Sequence, residues 1–227
     1  MVYSGVVLGN QGKGIAYMPR ISAVVNSIRV YRHRRRINNL VRAGLQIGKD
    51  VNILPDVHLD VSYPYLIKIG NNVSIGYGSR ILAHDASPYS FLGVARIGAV
   101  EIRNHSFLGE YVIVLPGVKI GPRALVTAGS LVTRDVPPNS RVSGVPARVY
   151  GKFDDFIKES RFLAEGRECV PFEEIAGPLT PEQKKSLREK TNEGILCTRG
   201  YVGVFPYAFN PSGIPPEDRF EAYPGDF

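Results

Sequence analysis

Apolar residues recur every six positions without a break at Ile102, Leu108, Val114, Ile120, Val126 and Val132. Four residues after each stands a small or branched one: Ser106, Val112, Val118, Ala124, Ser130 and Val136. A period of six is neither a helix period nor a simple strand alternation. It fits a parallel β-helix, in which each short strand forms one face of a coil and a turn follows. The apolar residue then points into the coil, and the small residue packs beside the turn.

The same register appears earlier. Ile47, Ile53 and Leu59 form one run, and Ile69, Ile75 and Ile81 another. From Leu59 to Ile69 the step is ten residues rather than six, so a few residues bulge out there. Between Ile81 and Ile102 the repeat is interrupted again, by His84-Asp85-Ala86-Ser87-Pro88-Tyr89 and the aromatic, glycine-bearing stretch after it. Insertions in a solenoid form loops on one face, often the binding face. The pattern thus points to a site before any chemistry is considered.

The flanks follow other rules. Residues 21–43 read as a helix, with Ile21, Val24, Val25, Ile28 and Tyr31 at helical spacing, Ile37, Leu40 and Val41 continuing the apolar side, and Gly44 as its stop. Helical character returns over 152–167. Thr180-Pro181-Glu182-Gln183 reads as a capping box with proline in the first helical position; its helix should run to about Asn192, with Gly194 as the stop. The last thirty residues, rich in Gly, Pro and aromatics, show no period and read as packing against the fold. The chain therefore divides into an N-terminal arm (1–44), a β-helix (45–150) and a C-terminal extension (151–227).

Charge sharpens the picture of the arm. Residues 1–49 carry nine Lys and Arg and no Asp or Glu, against a net charge of +7 for all 227 residues, so the remainder is slightly acidic. The run Arg32-His33-Arg34-Arg35-Arg36 lies inside the first helix. That helix can cap the open end of the solenoid with its arginines, and His33 among them, in solvent. It can also lie on an anionic membrane surface. Nothing matches a nucleic-acid-binding module. Cys169 and Cys197 match no metal spacing; a reduced cytoplasmic setting is the simplest reading, and a single disulfide between them is the alternative. No stretch approaches the length of a membrane span. The start lacks the basic n-region of a signal peptide. Gly9-Asn10-Gln11-Gly12-Lys13-Gly14 lacks the Ser/Thr and the spacing of a phosphate loop and reads as a turn.

Three segments carry a resemblance: Ile69-Gly70-Asn71-Asn72-Val73-Ser74-Ile75-Gly76, Leu115-Pro116-Gly117-Val118-Lys119-Ile120-Gly121, and Val136-Pro137-Pro138-Asn139-Ser140 running into Gly144-Val145-Pro146-Ala147-Arg148-Val149. Over residues 45–152 the chain resembles the left-handed β-helix, hexapeptide-repeat acyltransferases, in particular the branch that acetylates sugars and polysaccharides. The resemblance implies acetyl-CoA as co-substrate, no metal, a sugar, polysaccharide or nucleotide-sugar acceptor, and a homotrimer with each active site between two subunits.

Acetyl transfer needs a base for the acceptor's proton, an oxyanion donor and a groove for CoA. Imidazole suits the first task because its ordinary pKa lies near working pH. Of four histidines, His58 and His105 read as turn residues of regular coils, and only His84 stands at the mouth of an insertion. The resemblance makes His84 the general base. Its second nitrogen needs an orienting partner, for which Asp85, Glu110 and a backbone carbonyl are candidates. The resemblance places an acidic, acceptor-holding residue near Asp60; a turn-forming aspartate is the plain alternative. It also places the CoA arm along Gly109, Glu110, Ala128, Gly129, Thr133 and Arg134, with a backbone N–H near Gly109 or Glu110 as oxyanion donor. Ala147, Arg148 and Lys152 lie in the exit segment, where the cations suit the CoA phosphates. An amino-sugar N-acetyltransferase is the neighbouring reading. A zinc-dependent β-helix enzyme would need three converging histidines. A non-catalytic scaffold has no use for His84 or the exit segment.

Overall fold

The structure, a computed structural model, describes residues 19–166, 169–175, 179–192, 194 and 197–199. The turn segment at Gly9–Gly14 and the aromatic-rich tail beyond residue 199 lie outside them. Four coils carry the repeat. The first comprises β1 (Gln46–Ile47), β2 (Asn52–Ile53) and β3 (His58–Leu59). The second comprises β4 (Ile67–Ile69), β5 (Ser74–Ile75) and β6 (Arg80–Ile81), followed by an insertion of β7 (His84–Asp85), helix α2 (Tyr89–Leu92) and β8 (Arg96–Ile97). The third comprises β9 (Val100–Ile102), β10 (Phe107–Leu108) and β11 (Ile113–Val114), and the fourth β12 (Lys119–Ile120), β13 (Leu125–Val126) and β14 (Leu131–Val132). β15 (Ser140–Gly144) and β16 (Ala147–Lys152) close the stack as an antiparallel pair.

Corresponding strands stack into three sheets: β1-β4-β9-β12, β2-β5-β10-β13-β15-β16 and β3-β6-β11-β14. Pairing between coils is parallel throughout. The fold is the expected left-handed parallel β-helix with an N-terminal helix and a helical C-terminal part. Ile75, Ile81, Ile102, Leu108, Val114, Ile120 and Val126 line its axis at full burial. The residues four positions on are inside as well. Val112 and Ala124 are wholly buried, and Ser79 and Ser106 turn their hydroxyls to the carbonyls of Gly109 and Gly121. A small polar residue is tolerated there because the turn supplies its partner.

The turns share one conformation. The third residue after the core position adopts positive φ at Asp50, Asp56, Asn72, Gly78, His105, Tyr111, Gly117, Arg123 and Gly129. His105 is thus a turn residue, as expected, whereas His58 sits on strand β3 and not in a turn.

Helix α1 (Pro19–Arg42) closes the open end of the first coil. Bonds between coils run both ways: Leu54 N–H donates to Ile75 O and Gly76 N–H to Leu108 O, while Asn72 N–H donates back to Lys49 O. The first-coil carbonyls that point away from the second coil have no preceding coil to serve. His33 fills one such gap: its Nε2 stands 2.9 Å from the Ile53 carbonyl oxygen, as donor. The residue expected in solvent is only 8% exposed, and burial pushes its pKa down. Leu40 is buried beside it, while Arg32, Arg35 and Arg42 face outward. Gly44, at φ 103°, ends the helix as expected.

After the coils come α3 (Phe153–Glu165), β17 (Cys169–Pro171), α4 (Phe172–Ile175), α5 (Pro181–Thr191) and β18 (Cys197–Arg199). Helix α3 is tied to the last coils by Asp154, which pairs with Arg123 and accepts from the Asn139 side chain. The capping box opens α5: Thr180 Oγ1 accepts from Gln183 N–H, and Gln183 Oε1 from Thr180 N–H. No described helix is long and apolar enough to cross a membrane.

Candidate active site

Both breaks in the repeat leave the coil at one corner, between the third sheet and the first. Leu59 and Ile81 are register partners on adjacent coils, so the residues that follow them emerge side by side. Asp60 donates its backbone N–H to Ile81 O, which fixes it beside Leu82 and Ala83. His84 opens the second insertion two residues further on. Its imidazole Nδ1 lies 2.5 Å from Asp60 Oδ2.

Asp60 is 1% exposed, and both its oxygens are engaged. Oδ2 also accepts from the N–H groups of Ala83 and His84 at 2.9 and 3.0 Å, and Oδ1 from Ser62 N–H at 3.0 Å. Burial raises the pKa of this carboxyl; the bonds from His84, Ala83 and Ser62 outweigh it and hold the group below the usual carboxylate range. An ionised carboxylate can only accept, so Nδ1 carries the proton and Nε2 keeps its lone pair. The His84 side chain is about one-third exposed, at 34%. The arrangement is a buried carboxylate orienting a solvent-facing imidazole. Tyr63 packs against the same imidazole, with ring centroids 5.3 Å apart.

This geometry corrects several expectations. Asp60 is not available to hold acceptor hydroxyls, because its oxygens already serve four donors. Asp85 does not orient His84. It turns to Ser87 N–H at 2.8 Å and to the Arg96 guanidinium across the β7–β8 hairpin, and these bonds, Ser87 first, lower its pKa to about 2. Glu110 lies at a different corner, between the second and third sheets, and cannot reach His84 as partner.

The twelve predicted residues thus fall into separate groups. Gly109 and Glu110 stack on Ala128 and Gly129 at that other corner, joined by Gly129 N–H to Glu110 O at 2.8 Å. Gly109 is buried there, its N–H is bonded to Val126 O, and a Cβ on it would stand 2.5 Å from Ala128 N. The close stacking of coils demands this glycine, and its engaged N–H is not an oxyanion donor. Ala147 and Arg148 adjoin the same corner through the β15–β16 turn, where Gly144 N–H donates to Ser130 Oγ. Lys152 is displaced from them: it pairs with Ser140 at the far end of β16, at the start of α3. Thr133 and Arg134 lie at the corner of His84, two coils further along. Arg134, Arg148 and Lys152 are exposed. Among the described residues, no three His, Cys, Asp or Glu side chains are grouped to hold a metal ion.

Hexad bookkeeping could have found the Asp60–His84 pair. Leu59 and Ile81 occupy equivalent positions of successive coils, so Asp60 and His84 are spatial neighbours although 24 residues apart.

No protein-family profile matches the chain. Relatives named as acetyltransferases match it, in line with the resemblance drawn from the hexads. A Bacillus subtilis (strain 168) protein named as a candidate acetyltransferase, YvoF, is 39% identical over 105 residues, covering 46% of this chain and 59% of that one. The galactoside O-acetyltransferase of Escherichia coli (strain K12) is 31% identical over 130 residues, covering 53% and 60%. The chain thus spans about three fifths of the length of these curated relatives. Among solved structures, a maltose O-acetyltransferase from Clostridium difficile 630 aligns with a TM-score of 0.43 and 28% identity, over 52% of this chain and 75% of that one.

Proposed function

We propose that the protein is an acetyl-CoA-dependent O-acetyltransferase acting on a sugar or polysaccharide precursor. The observation that carries the reading is the Asp60–His84 pair at the one corner where the coil opens. Nε2 of His84 takes the proton of an acceptor hydroxyl as its oxygen attacks the thioester carbonyl. The tetrahedral intermediate expels the CoA sulfur, which takes the proton back from the imidazolium. The products are an acetyl ester and CoA thiol, and the base is restored. Asp60 stabilises the transient imidazolium and keeps Nε2 as the basic nitrogen. No metal is required by this chemistry.

The name of the galactoside O-acetyltransferase relative supports acetyl transfer and a sugar acceptor. Arg134 and Arg148, both exposed, supply cations for the CoA phosphates. The same reading takes the protein as a cytoplasmic homotrimer. Its support is the exposed apolar row Tyr89, Phe91, Leu92, Val94 and Ile97 on the insertion beside His84, a surface that a second copy would cover. The outward Arg32, Arg35 and Arg42 of α1 support contact with an anionic bilayer.

Thiol release from acetyl-CoA over a panel of sugars, amino sugars and nucleotide sugars, for wild type beside His84→Ala, tests the proposal. Release that depends on a hydroxyl acceptor and disappears in the variant is expected. Equal activity in both proteins sinks His84 as base. Transfer to amines alone favours the N-acetyltransferase.

A further inference from the structure

Within the proposed transferase reading, we infer that Tyr63 and Tyr65 form an aromatic wall that binds the apolar C–H face of a pyranose ring beside His84. Both come from the extra residues between β3 and β4. Their rings meet edge-on with centroids 6.2 Å apart, and the Tyr63 ring continues onto the His84 imidazole at 5.3 Å. Tyr63 is half-buried, whereas Tyr65 is 56% exposed. An exposed tyrosine usually moves freely, but the backbone here is anchored. Pro64 between the two rings is buried, the segment forms a 3-10 turn closed by Leu66 N–H to Tyr63 O at 3.0 Å, and Gly44 lies so close that a Cβ on it would stand 2.7 Å from Tyr65 Cβ. The wall is therefore placed by the fold.

The charged groups bonded to His84 or on its hairpin are engaged, while Arg134 stands exposed two coils along the same corner. Asp60 serves the imidazole and the backbone, and Asp85 and Arg96 serve each other. What remains on the Tyr63 side is an aromatic corner in which the two tyrosine rings stand at 73° to each other. The C–H face of a pyranose can rest on one ring while its rim meets the other.

The test is steady-state acetyl transfer, with a methyl pyranoside as varied acceptor, for wild type, Tyr63→Phe, Tyr63→Ala and Tyr65→Ala. Removal of Tyr65 is expected to raise the acceptor KM roughly tenfold, as for loss of one aromatic contact. The acetyl-CoA KM and the pH profile should stay in place. Tyr63→Phe keeps the ring and should retain near wild-type KM, which guards against loss of folding in Tyr63→Ala. An unchanged acceptor KM in Tyr65→Ala, in an active enzyme, overturns the wall and leaves the transferase standing. A wild type that acetylates no hydroxyl acceptor overturns both.

A second, independent observation concerns the two cysteines. Cys169 and Cys197 are direct register partners on the parallel strands β17 and β18. Neighbouring strands run about 4.8 Å apart, within the Cα separation of disulfides. Both thiols point to the last turn of α3: Cys169 Sγ lies 3.5 Å from Ala164 O, and Cys197 Sγ 3.9 Å from Leu163 O. We propose that the pair is a site of reversible oxidation by small-molecule disulfides. The thiolate of one cysteine attacks the disulfide and releases one small thiol; the second cysteine attacks the mixed disulfide and releases the other. The protein loses two hydrogens, and the oxidant is reduced to two thiols.

The chain has only these two cysteines, so thiol counting is unambiguous. Treatment of the full chain with oxidised glutathione should remove both thiols titrated after denaturation, with a mass loss of two hydrogens and no adduct. Cys169→Ser and Cys197→Ser should each take up one glutathione instead. A wild type that keeps both thiols, or carries glutathione adducts, overturns the pairing.

Discussion

The corner between the third sheet and the first occurs in every coil, and it behaves differently in the two halves of the stack. In coils three and four it is a tight turn: Leu115-Pro116-Gly117 with Gly117 at φ 84°, and Thr133-Arg134-Asp135, whose Asp135 side chain accepts from Lys119 N–H at 2.8 Å. At the left-handed position of this corner only Gly117 has positive φ; Ser62, His84 and Asp135 do not. What sets coils one and two apart is length, since the next core positions, Ile69 and Ile102, come ten and 21 residues after Leu59 and Ile81. There the chain leaves the stack, and the Asp60–His84 pair and Tyr63 stand where it leaves. Below the corner the halves are alike, with Leu59, Ile81, Val114 and Val132 all buried. The core residues hold the coils together whatever the turn does, so the turn is free to be replaced by a site.

The contrast is open to direct experiment. The largest effect expected is on activity: His84→Ala should lower kcat about a thousandfold, with acetyl-CoA binding by calorimetry unchanged. In the regular half, Ile120→Ala should instead destabilise the fold by about 3 kcal/mol in denaturant titration while turnover per folded molecule persists. If it abolished turnover in the folded state, the separation of core from site would be wrong. Asp60→Asn joins the two regions, since it retains a buried polar group but removes the charge. It should cost about a hundredfold in kcat.

The same substitution carries a signature in stability. The Asp60 carboxyl is held below its ordinary pKa, so its contribution is complete above about pH 4 and is lost as pH falls through the lowered native value. The melting-temperature gap between wild type and Asp60→Asn should shrink as pH falls below about 4. A gap that does not shrink between about pH 4 and about pH 2 contradicts the ionised carboxylate. The smallest effect belongs to Asp85→Ala. That carboxylate serves Ser87 and Arg96 on the exposed hairpin, so kcat should change by no more than about threefold.

Much of the architecture was legible because hexads are local. Each apolar position specifies its own turn, and the offsets at Leu59 and Ile81 announce the insertions without reference to any other part of the chain. His84 was legible for the same reason, as the histidine at the mouth of the longer break. Its partner was not. Asp85 is adjacent in sequence, but the β7–β8 hairpin directs it toward Arg96. Asp60 reaches the imidazole only because successive coils stack in register, which brings together residues a full turn of the solenoid apart.

His33 shows the same division. Its place in a run of arginines suggested solvent, but a coil with no predecessor leaves carbonyls in need of donors, and α1 lays His33 over one of them. Gly109 reverses the case, since a glycine set aside for a ligand is required by the neighbouring coil. Period, insertion points and the candidate base follow from the order of residues, because apolar burial and turn geometry act over six positions. Which acid pairs with that base, and which polar groups are already engaged, was decided only by tertiary structure, because hydrogen bonds are satisfied across coils and not along the chain.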